Sequence, residues 1–574
     1  MPKLASGNIV GFVLGALPAC VGIVPAHAQA RASDTVEVVL RPGPADAAQD
    51  IAFVDVTVTA PADLQAPGFR LPRVTGNVKT VATSIENLRA ADENGSIALD
   101  FRDDPDGAKP YRRWKASRPA HGQVTIRYRA PITNAPNPLG AAPPLELRSD
   151  SVAFSGLLGA YVLLPDTGKA YRLKLEWDFS SLAAESIGVS TLGVGNQSGA
   201  EKTSEMQEST FTLGGHLDHE PATPAANGFF SAWQGRPPFD AHALMRWTQT
   251  LYGAYQTFFA TRGTTYNVFL RRNPVNPGGG VEVANSFVGT FDDSTRADEF
   301  KLTLAHEMVH TFVGELDEKD DLAASWFSEG IAVYYERLLP YRAGQITRDE
   351  YLRSVNITAA RYYTDLLNTT PNRDIPARFW ADTRIRVLPY DRGALYFARL
   401  NALIGKASRG RRSLDDLLLA FLKRRATGLP LTQAAWVDAV TRELGAQGKS
   451  QFDDMMSGKP IVLDSDTFGP CFCRTQQKMR RYELGFDPEV LAHSPRIVRG
   501  LVAGSAAEKA GLRNGDEIAR PVPQDGIQAN QSAMLKLRIK RDGANFDVDY
   551  LPRGESVETW QWTAAGSEAC RTGK

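Results

Sequence analysis

The segment His306-Glu307-Met308-Val309-His310 constrains this chain more than any other feature of its sequence. Apolar residues recur around it at helical spacing, and Thr295 with Asp298 resembles a capping box, so a helix is predicted over residues 295–312. Histidines four residues apart lie on one face of a helix, where two imidazole nitrogens can reach one ion at about 2.0–2.1 Å. Glu307 lies beside that face, where its carboxylate can hydrogen-bond a water ligand and accept a proton from it.

Glu329 is the candidate for a third ligand. It follows His310 by 19 positions, in the segment Ala323–Gly330, and lies at the predicted start of another helix. Zinc sites that catalyse hydrolysis use three protein ligands and keep one open position. The sequence therefore predicts one zinc ion held by His306, His310 and Glu329. Glu307 would be the general base, and this arrangement is the gluzincin signature. Two alternatives remain open: a helix whose surface histidines pair with carboxylates, and a protein that binds metal but is inactive.

Length and charge limit the possible partners. The chain has 574 residues and 43% hydrophobic content, enough for three or four domains on the usual length prior. Lys plus Arg (65) balances Asp plus Glu (65), so no net field attracts nucleic acid or anionic lipid. Beyond the first residues no stretch reaches the roughly 18–20 apolar residues that span a bilayer, so no membrane span is predicted. The oligomeric state is not predicted.

The first 28 residues have the pattern of a secretory signal peptide. Lys3 is the only early charge, Ile9–Val24 is apolar, and Ala26-His27-Ala28 fits the small-x-small cleavage rule. Cleavage is predicted after Ala28, which makes the protein exported, to the periplasm or the exterior of a bacterial-type cell. The alternative is a lipoprotein acylated at Cys20.

Hydrophobic patterning changes along the chain. Runs such as Val36–Leu40, Phe53–Val58 and Gln123–Tyr128 alternate apolar and polar residues between Pro, Gly, Asp and Asn clusters, which is typical of a β-sandwich. From about Phe239 the spacing becomes helical through to about Leu444, with a short strand segment near 266–288. After Cys473, short strands return around one small helix near 506–510. The pattern predicts a multidomain α+β chain.

The predicted domains are a signal peptide at 1–28, an N-terminal β domain at 29–235, a zinc peptidase catalytic domain with its helical completion at 236–460, and a β domain at 475–574. Outside the leader, Cys570 could pair with Cys471 or Cys473 in an oxidising compartment and tie the tail to the last domain. Free thiols are the alternative.

Three further segments resemble one known family. Gly279-Gly280-Val281-Glu282 is similar to its Gly-Gly-Leu-Glu-His segment, Leu388–Gly393 to its Pro-Tyr-Glu-Lys-Gly helix start, and Tyr482–Phe486 to the Gly-Leu-Gly-Phe loop of a PDZ module. With the zinc motif, they make the chain resemble the glycyl aminopeptidase family of PDZ-containing gluzincins, metallopeptidase family sixty-one, which is related to aminopeptidase N. The resemblance implies a thermolysin-like, mostly helical catalytic domain between an N-terminal β-sandwich-like domain and a C-terminal PDZ-like β domain.

The resemblance also implies roles for single residues. Glu282, in one edge-strand segment with Gly279 and Gly280, would pair with the free α-ammonium of the substrate. Its alternative is an ordinary surface glutamate in a turn. Tyr390 would donate its phenol O–H to the tetrahedral oxyanion, and its alternative is a packed core tyrosine.

The sequence departs from the family at three places. Val283 replaces the usual His, and Arg392 stands where Lys is common. Thr311–Gly314 stands where family members usually carry His-x-Trp-Asn, a difference that bears on pocket shape and specificity. Asp317, Asp320 and Asp321 could orient the histidine ligands from behind or form a solvated acidic loop.

The expected function is that of an exported zinc aminopeptidase that removes small N-terminal residues, glycine or alanine, from peptides. The family resemblance alone implies this residue preference. The PDZ-like loop would bind a peptide C-terminus or pack against the catalytic unit. The alternatives are a zinc endopeptidase, which needs no N-terminal anchor, and a peptide-binding protein with weak or no activity.

Overall fold

The computed structural model describes residues 35–43, 50–61, 68–76, 78–105, 110–134, 143–182, 185–273, 277–520, 522 and 524–565. They form two compact units. The first comprises the described residues up to 249 together with 262–297, and the second comprises 250–261 and the described residues from 298 onward. The predicted signal segment with Cys20, and the predicted disulfide partner Cys570, lie outside the described residues.

The first unit is built mainly of strands. They are β1 (Thr35–Gly43), β2 (Phe53–Pro61), β3 (Gly68–Pro72), β4 (Val74–Thr75), β5 (Val78–Lys79), β6 (Glu86–Asp92), β7 (Gly95–Ile97), β8 (Leu99–Asp103), β9 (Tyr111–Ala116), β10 (Gln123–Pro131), β11 (Arg148–Asp150), β12 (Ala153–Leu157), β13 (Leu164–Pro165), β14 (Ala170–Trp177), β15 (Ile187–Ser190), β16 (Gly193–Val194), β17 (Gln197–Lys202), β18 (Phe211–Gly215), β19 (Asp218–Glu220), β20 (Phe229–Trp233), β21 (Tyr266–Arg272), β22 (Gly280–Val283) and β23 (Ser286–Phe291). Its helices are α1 (Leu158–Tyr161), α2 (Thr203–Ser209) and the first half of α3 (Ala241–Phe258), whose second half belongs to the second unit.

Alternation along the strands builds the core of this unit. In β2 every second side chain is buried, and β1 and β10 follow the same pattern on either side of it. A seven-stranded sheet, in the order β17-β14-β1-β2-β10-β6-β7, and a four-stranded sheet, β13-β3-β9-β8, contribute to one hydrophobic core. The period of two therefore places one face of each strand in the interior, as the sequence predicted.

A second part of this unit contains the strand segment predicted near 266–288. Its sheet has the order β19-β20-β21-β23-β22, with β20, β21 and β23 parallel and β22 antiparallel at the edge. Phe230, Phe269 and Val288 share a hydrophobic core with β12, β15 and β18. Strand β22 carries Gly280 and Glu282.

The second unit is mostly helical. Its helices are α4 (Ala297–Val313), α5 (Asp321–Arg342), α6 (Arg348–Thr364), α7 (Thr383–Arg386), α8 (Leu388–Ser408), α9 (Leu414–Ala426), α10 (Gln433–Leu444), α11 (Ala446–Met456), α12 (Ala506–Lys509) and α13 (Asp525–Ala529). Helix α4 begins at Ala297, and the Thr295 hydroxyl accepts a hydrogen bond from the Asp292 N–H, while the capping box of Thr295 with Asp298 stays a prediction. One local prediction is wrong. Glu329 lies in the middle of α5, because Asp320 caps a helix that starts eight residues earlier.

The C-terminal region forms strands β24 (Phe472–Tyr482), β25 (Glu517–Ile518), β26 (Leu535–Arg541), β27 (Ala544–Tyr550) and β28 (Arg553–Ala564). Strands β24 and β28 pair with each other, and β25, β26 and β27 form a second sheet that shares a hydrophobic core with Tyr482 at the end of β24. Gly485 adopts a left-handed φ of 81° in the loop after β24. The chain then forms a 3-10 helix, and no strand lies between β24 and β25 in residues 483–516, all of which are described. The N–H of Asp487 donates to the carbonyl of Arg499, and the N–H of Val502 donates to the carbonyl of Gly485. The PDZ-like module and its peptide binding stay predictions.

This C-terminal region packs on α6. The side chain of Asn356 donates to the carbonyl of Trp562 and accepts from its N–H, both at 2.7 Å. Gln528 of α13 donates to the hydroxyl of Thr383 at 2.8 Å, and both side chains are buried. Among the described residues, no helix is both long and apolar enough to cross a membrane.

Candidate functional site

Helix α4 presents its histidines from a buried position. The apolar stripe of the helix is packed, and the hydroxyl of Tyr255 donates to the carbonyl of Ala305, one residue before His306. His306 is 3% exposed, and His310, one turn later, is half-buried. The helical spacing predicted from sequence therefore places both imidazoles on one face of α4.

Helix α5 brings Glu329 to these histidines. The next residue, Gly330, lies against Gly393 of α8 so closely that a Cβ on Gly393 would meet the Gly330 Cα at 2.7 Å. This close approach of two backbones needs glycine on both helices. It places the middle of α5, with Glu329, beside the first turns of α8.

Three potential ligand atoms converge. Nε2 of His306 lies 3.2 Å from Oε2 of Glu329 and 3.2 Å from Nε2 of His310, and Nε2 of His310 lies 3.5 Å from Oε2 of Glu329. Ligands at about 2.0–2.1 Å from a tetrahedral zinc ion are about 3.3 Å apart, so this triangle fits the ion. One carboxylate and two imidazoles are also the donor set that catalytic zinc takes. Among the described residues, this is the one group of three such side chains that could hold a metal.

The charges at the site also fit a cation. Burial works to raise the pKa of Glu329, but His310 and His306 outweigh it and lower that pKa to about 2. Burial works to lower the pKa of His306, yet contacts with Glu329 and Glu336 raise it well above the ordinary value. The pocket therefore stabilises positive charge where the three ligand atoms meet.

Glu336 holds the other nitrogen of His306. The Nδ1–H of His306 donates to Oε2 of Glu336 at 2.7 Å, which leaves Nε2 facing Glu329. Such a partner fixes the tautomer and the ring orientation of a metal-binding histidine. Asp317 instead accepts from the Leu431 N–H, and Asp320 caps α5.

Glu307 and Tyr390 complete the cluster. Glu307 is 3% exposed, and burial raises the pKa of its carboxyl against the opposing effect of His306 and His310. Tyr390 is buried in the first turn of α8, with its ring 6.0 Å from the His306 ring and nearly parallel to it. The second unit therefore brings together all five side chains that were predicted for the zinc chemistry.

The departure from the family at Thr311–Gly314 has a packing basis. Phe312 stacks on Phe259 of the segment after α3, with ring centroids 4.9 Å apart. Gly314 ends α4 with a left-handed φ of 63°, and Arg425 donates to the carbonyls of Val313 and Glu315. An aromatic cluster and a fixed turn thus shape this side of the site.

The predicted anchor segment lies in the first unit. Glu282 is half-buried on the edge strand β22. The carbonyl of Gly279 accepts from the N–H and the hydroxyl of Thr290, and a Cβ on Gly280 would meet Phe287 at 2.3 Å. These contacts explain the two glycines by local packing, and the anchoring role of Glu282 stays a prediction.

Two features of the site escaped the sequence reasoning. Glu336 follows Glu329 by seven residues, two helical turns, so helical spacing alone could have placed both on one face of α5. Arg361 of α6 makes two hydrogen bonds to Asp391, the neighbour of Tyr390. No sequence spacing indicates the contact between Arg361 and Asp391, because it joins two different helices.

Comparison with known proteins gives one family match. Residues 299–372, which contain the two histidines and Glu329, match the model of the M61 glycyl aminopeptidases. No curated protein matches the chain in sequence.

One of two similar solved structures shares the fold. An aminopeptidase N family protein from Idiomarina loihiensis is similar over 94% of this chain and 99% of its own, with a TM-score of 0.65 and 14% identity. An M1 zinc metallopeptidase from Deinococcus radiodurans is similar over 75% of this chain and 94% of its own, with a TM-score of 0.42 and 17% identity.

Proposed function

On the premise that this chain is a zinc metallopeptidase related to the M61 glycyl aminopeptidases and the M1 aminopeptidases, we propose that it removes small N-terminal residues, glycine or alanine, from peptides. The observation that carries the proposal is the triangle of ligand atoms of His306, His310 and Glu329, with edges of 3.2, 3.2 and 3.5 Å. The preference for a small residue rests on the family match alone.

Zinc held by these three side chains supplies Lewis acidity, which lowers the pKa of water and polarises the peptide carbonyl. Glu307 accepts the proton of the attacking water and delivers it to the leaving amine nitrogen. The Tyr390 hydroxyl donates a hydrogen bond to the oxyanion that develops on the carbonyl oxygen. Both side chains are buried, so water competes little for these contacts.

Glu282 is the proposed anchor for the α-ammonium of the substrate. A half-buried carboxylate on an edge strand can accept a charge-assisted hydrogen bond from an extended peptide. An endopeptidase would share the zinc chemistry without this contact. The requirement for a free N-terminal amine therefore separates the two functions.

The deciding experiment compares glycyl and alanyl peptides with free and acetylated N-termini, using zinc-loaded protein. We expect cleavage of the free amines alone, at the first peptide bond. Glu307→Gln keeps the size of the side chain but not the base, and we expect it to lower kcat by about 100-fold or more. Cleavage of acetylated peptides at an equal rate would exclude an aminopeptidase and leave an endopeptidase.

A control separates anchoring from folding. Glu282→Gln should raise KM for free-amine peptides by roughly 10-fold or more, because it removes one charged contact. Glu220→Gln, in the same sheet on strand β19, should leave KM unchanged. If no peptide is cleaved under any condition, the zinc peptidase activity is contradicted and a binding role gains weight.

We also propose export through the segment 1–28, from its apolar run and the Ala26-His27-Ala28 site. N-terminal sequencing of the secreted or periplasmic protein should begin at residue 29. A lipid-modified Cys20 would contradict this.

For the C-terminal region, the contacts of Asn356 and Gln528 favour packing on α6 and α7 over capture of a peptide C-terminus.

A further inference from the structure

A buried ion pair lies beside Tyr390. Nε and Nη2 of Arg361, on α6, each donate to one carboxylate oxygen of Asp391, on α8, and both distances are 2.6 Å. The Asp391 side chain is 1% exposed and that of Arg361 5%. Two parallel hydrogen bonds between planar groups fix an orientation as well as a distance. This pair therefore restrains how the first turn of α8 is rotated.

The same turn is restrained on its other sides. Gly393 lies against Gly330 and the carbonyl of Trp326 on α5, which sets the distance between the two helices. Arg392 donates to the side-chain oxygen of Asn372 at 2.5 Å and to the carbonyl of Asn368 at 2.8 Å. These contacts hold α8 against its neighbours, but the glycine contact has no directional bonds. Rotation about the axis of α8 is opposed most directly by the hydrogen bonds of Arg361 to Asp391 and by those of Arg392.

Rotation of this turn moves Tyr390. Successive residues of an α-helix point about 100° apart, so the direction of one side chain sets that of its neighbour. The Tyr390 ring lies 6.0 Å from the His306 ring, where a small rotation would shift its hydroxyl relative to the scissile carbonyl. A displacement of about 1 Å at a reacting geometry can cost about 100-fold in rate.

We propose that Arg361 is a positioning residue for the reaction, and that it aims the Tyr390 hydroxyl through its two hydrogen bonds to Asp391. The proposal rests on the role of Tyr390 given under the proposed function. It assigns a function to α6, a helix that supplies none of the zinc ligands.

Helix α6 also contacts the side of the site that holds His306. Arg337 of α5 donates to the hydroxyl of Thr358 and the carbonyl of Ser354, both on α6. Arg337 follows Glu336, the partner of His306. Thr358 and Arg361 lie one turn apart, so α6 joins the support of a zinc ligand to the support of Tyr390.

A double-mutant cycle tests the proposal with the full-length, zinc-loaded protein and an alanyl chromogenic anilide. Arg361→Lys keeps the charge but loses the planar fork. We expect it to lower kcat by about 10-fold or more with KM within about 2-fold and with zinc content unchanged. In a Tyr390→Phe background, the same substitution should change kcat less than about 2-fold, because no hydroxyl remains to be aimed.

A matched control is Arg271→Lys in the first unit. Arg271 is also buried and also bonds a carboxylate, that of Glu146. Arg271→Lys should lower the free energy of unfolding but leave kcat unchanged. If Arg361→Lys does not fold, Asp391→Asn takes its place in the cycle.

The outcomes separate the two proposals. Unchanged kcat in Tyr390→Phe alone would contradict the role of Tyr390. A loss in Tyr390→Phe, combined with an equal effect of Arg361→Lys in both backgrounds or with no effect in either, would overturn the positioning role alone. Failure of both pair variants to fold, while Arg271→Lys folds, would also overturn it in favour of a purely structural pair.

Discussion

Three buried glutamates surround the histidine pair, and the neighbours of each carboxylate set its pKa and its hydrogen bonds. Glu329 faces both imidazoles, which lower its pKa to about 2 despite burial. Burial raises the pKa of Glu307. Glu336 lies behind His306 and accepts its Nδ1–H. The proposed ligand, the proposed general base and a supporting acceptor are thus all glutamates, and the spacing from His306 and His310 predicted only the first two.

Removing the supporting carboxylate should weaken metal binding. Glu336→Gln keeps the volume but loses the charged acceptor, so His306 loses its fixed tautomer and orientation. We expect zinc affinity to fall by about 10–100-fold, measured by competition with a chelator. Glu443→Gln, which breaks a surface pair with Arg412, is the control and should not change affinity. Equal affinities of Glu336→Gln and the unchanged protein would show that Glu336 does not support the ligand.

At the scale of elements, the contact between α5 and α8 decides whether the zinc ligands and Tyr390 meet. Gly330 follows Glu329, and Gly393 lies three residues after Tyr390. The two glycines let the helices approach backbone to backbone. The sequence motifs contain both glycines, yet the reason for them is visible only when the helices are packed.

Replacing one of these glycines by alanine, which adds one methyl group, should test this contact. In Gly393→Ala the new Cβ would meet the Trp326 carbonyl oxygen at 2.5 Å and the Gly330 Cα at 2.7 Å, so one helix must shift. We expect a loss of about 1–3 kcal/mol in unfolding free energy and a lower kcat. On the same helix, a Cβ on Gly405 meets nothing within 4 Å. Gly405→Ala should therefore stabilise the protein by about 0.5–1 kcal/mol, and denaturant titration compares the two. Equal effects of the two substitutions would contradict the close contact.

At the scale of the whole molecule, the two units have different relations to the metal. The first unit has a core of alternating strands such as β2 and β10, with no part in the ligand triangle. The second unit contains α4 and α5, which carry all three proposed ligands. Without a cation, buried carboxylates and imidazoles must balance their own charges. The metal should therefore stabilise the second unit directly.

Chelation should show this difference. An ion at about 1,000 times its Kd stabilises the fold that binds it by about 4 kcal/mol. Removing zinc should increase amide hydrogen exchange in α4 and α5, leave β2 and β10 unchanged, and abolish peptide hydrolysis until zinc is restored. Glu307→Gln, which keeps all three ligands, should show the same exchange response. Equal loss of protection in β2 and in α5 would contradict a local effect.

Much of the fold and site follows from neighbours in sequence. Alternation predicted β1, β2 and β10, and helical spacing predicted α4 with its two histidines on one face, because each depends on residues a few positions apart. The start of α5 was misplaced by eight residues, since the cap at Asp320 was overlooked. Family resemblance, not periodicity, pointed to Tyr390.

The sequence by itself thus determined the β-rich and the helical regions, the three residues proposed as zinc ligands and the resemblance to an aminopeptidase family. Only the tertiary structure decided which carboxylate holds the far nitrogen of His306 and which arginine restrains the turn that carries Tyr390. The physical reason is that these contacts join residues 30 positions apart on different helices. Their partners are set by how α4, α5, α6 and α8 pack, and side-chain spacing along one helix contains no information about a neighbouring helix.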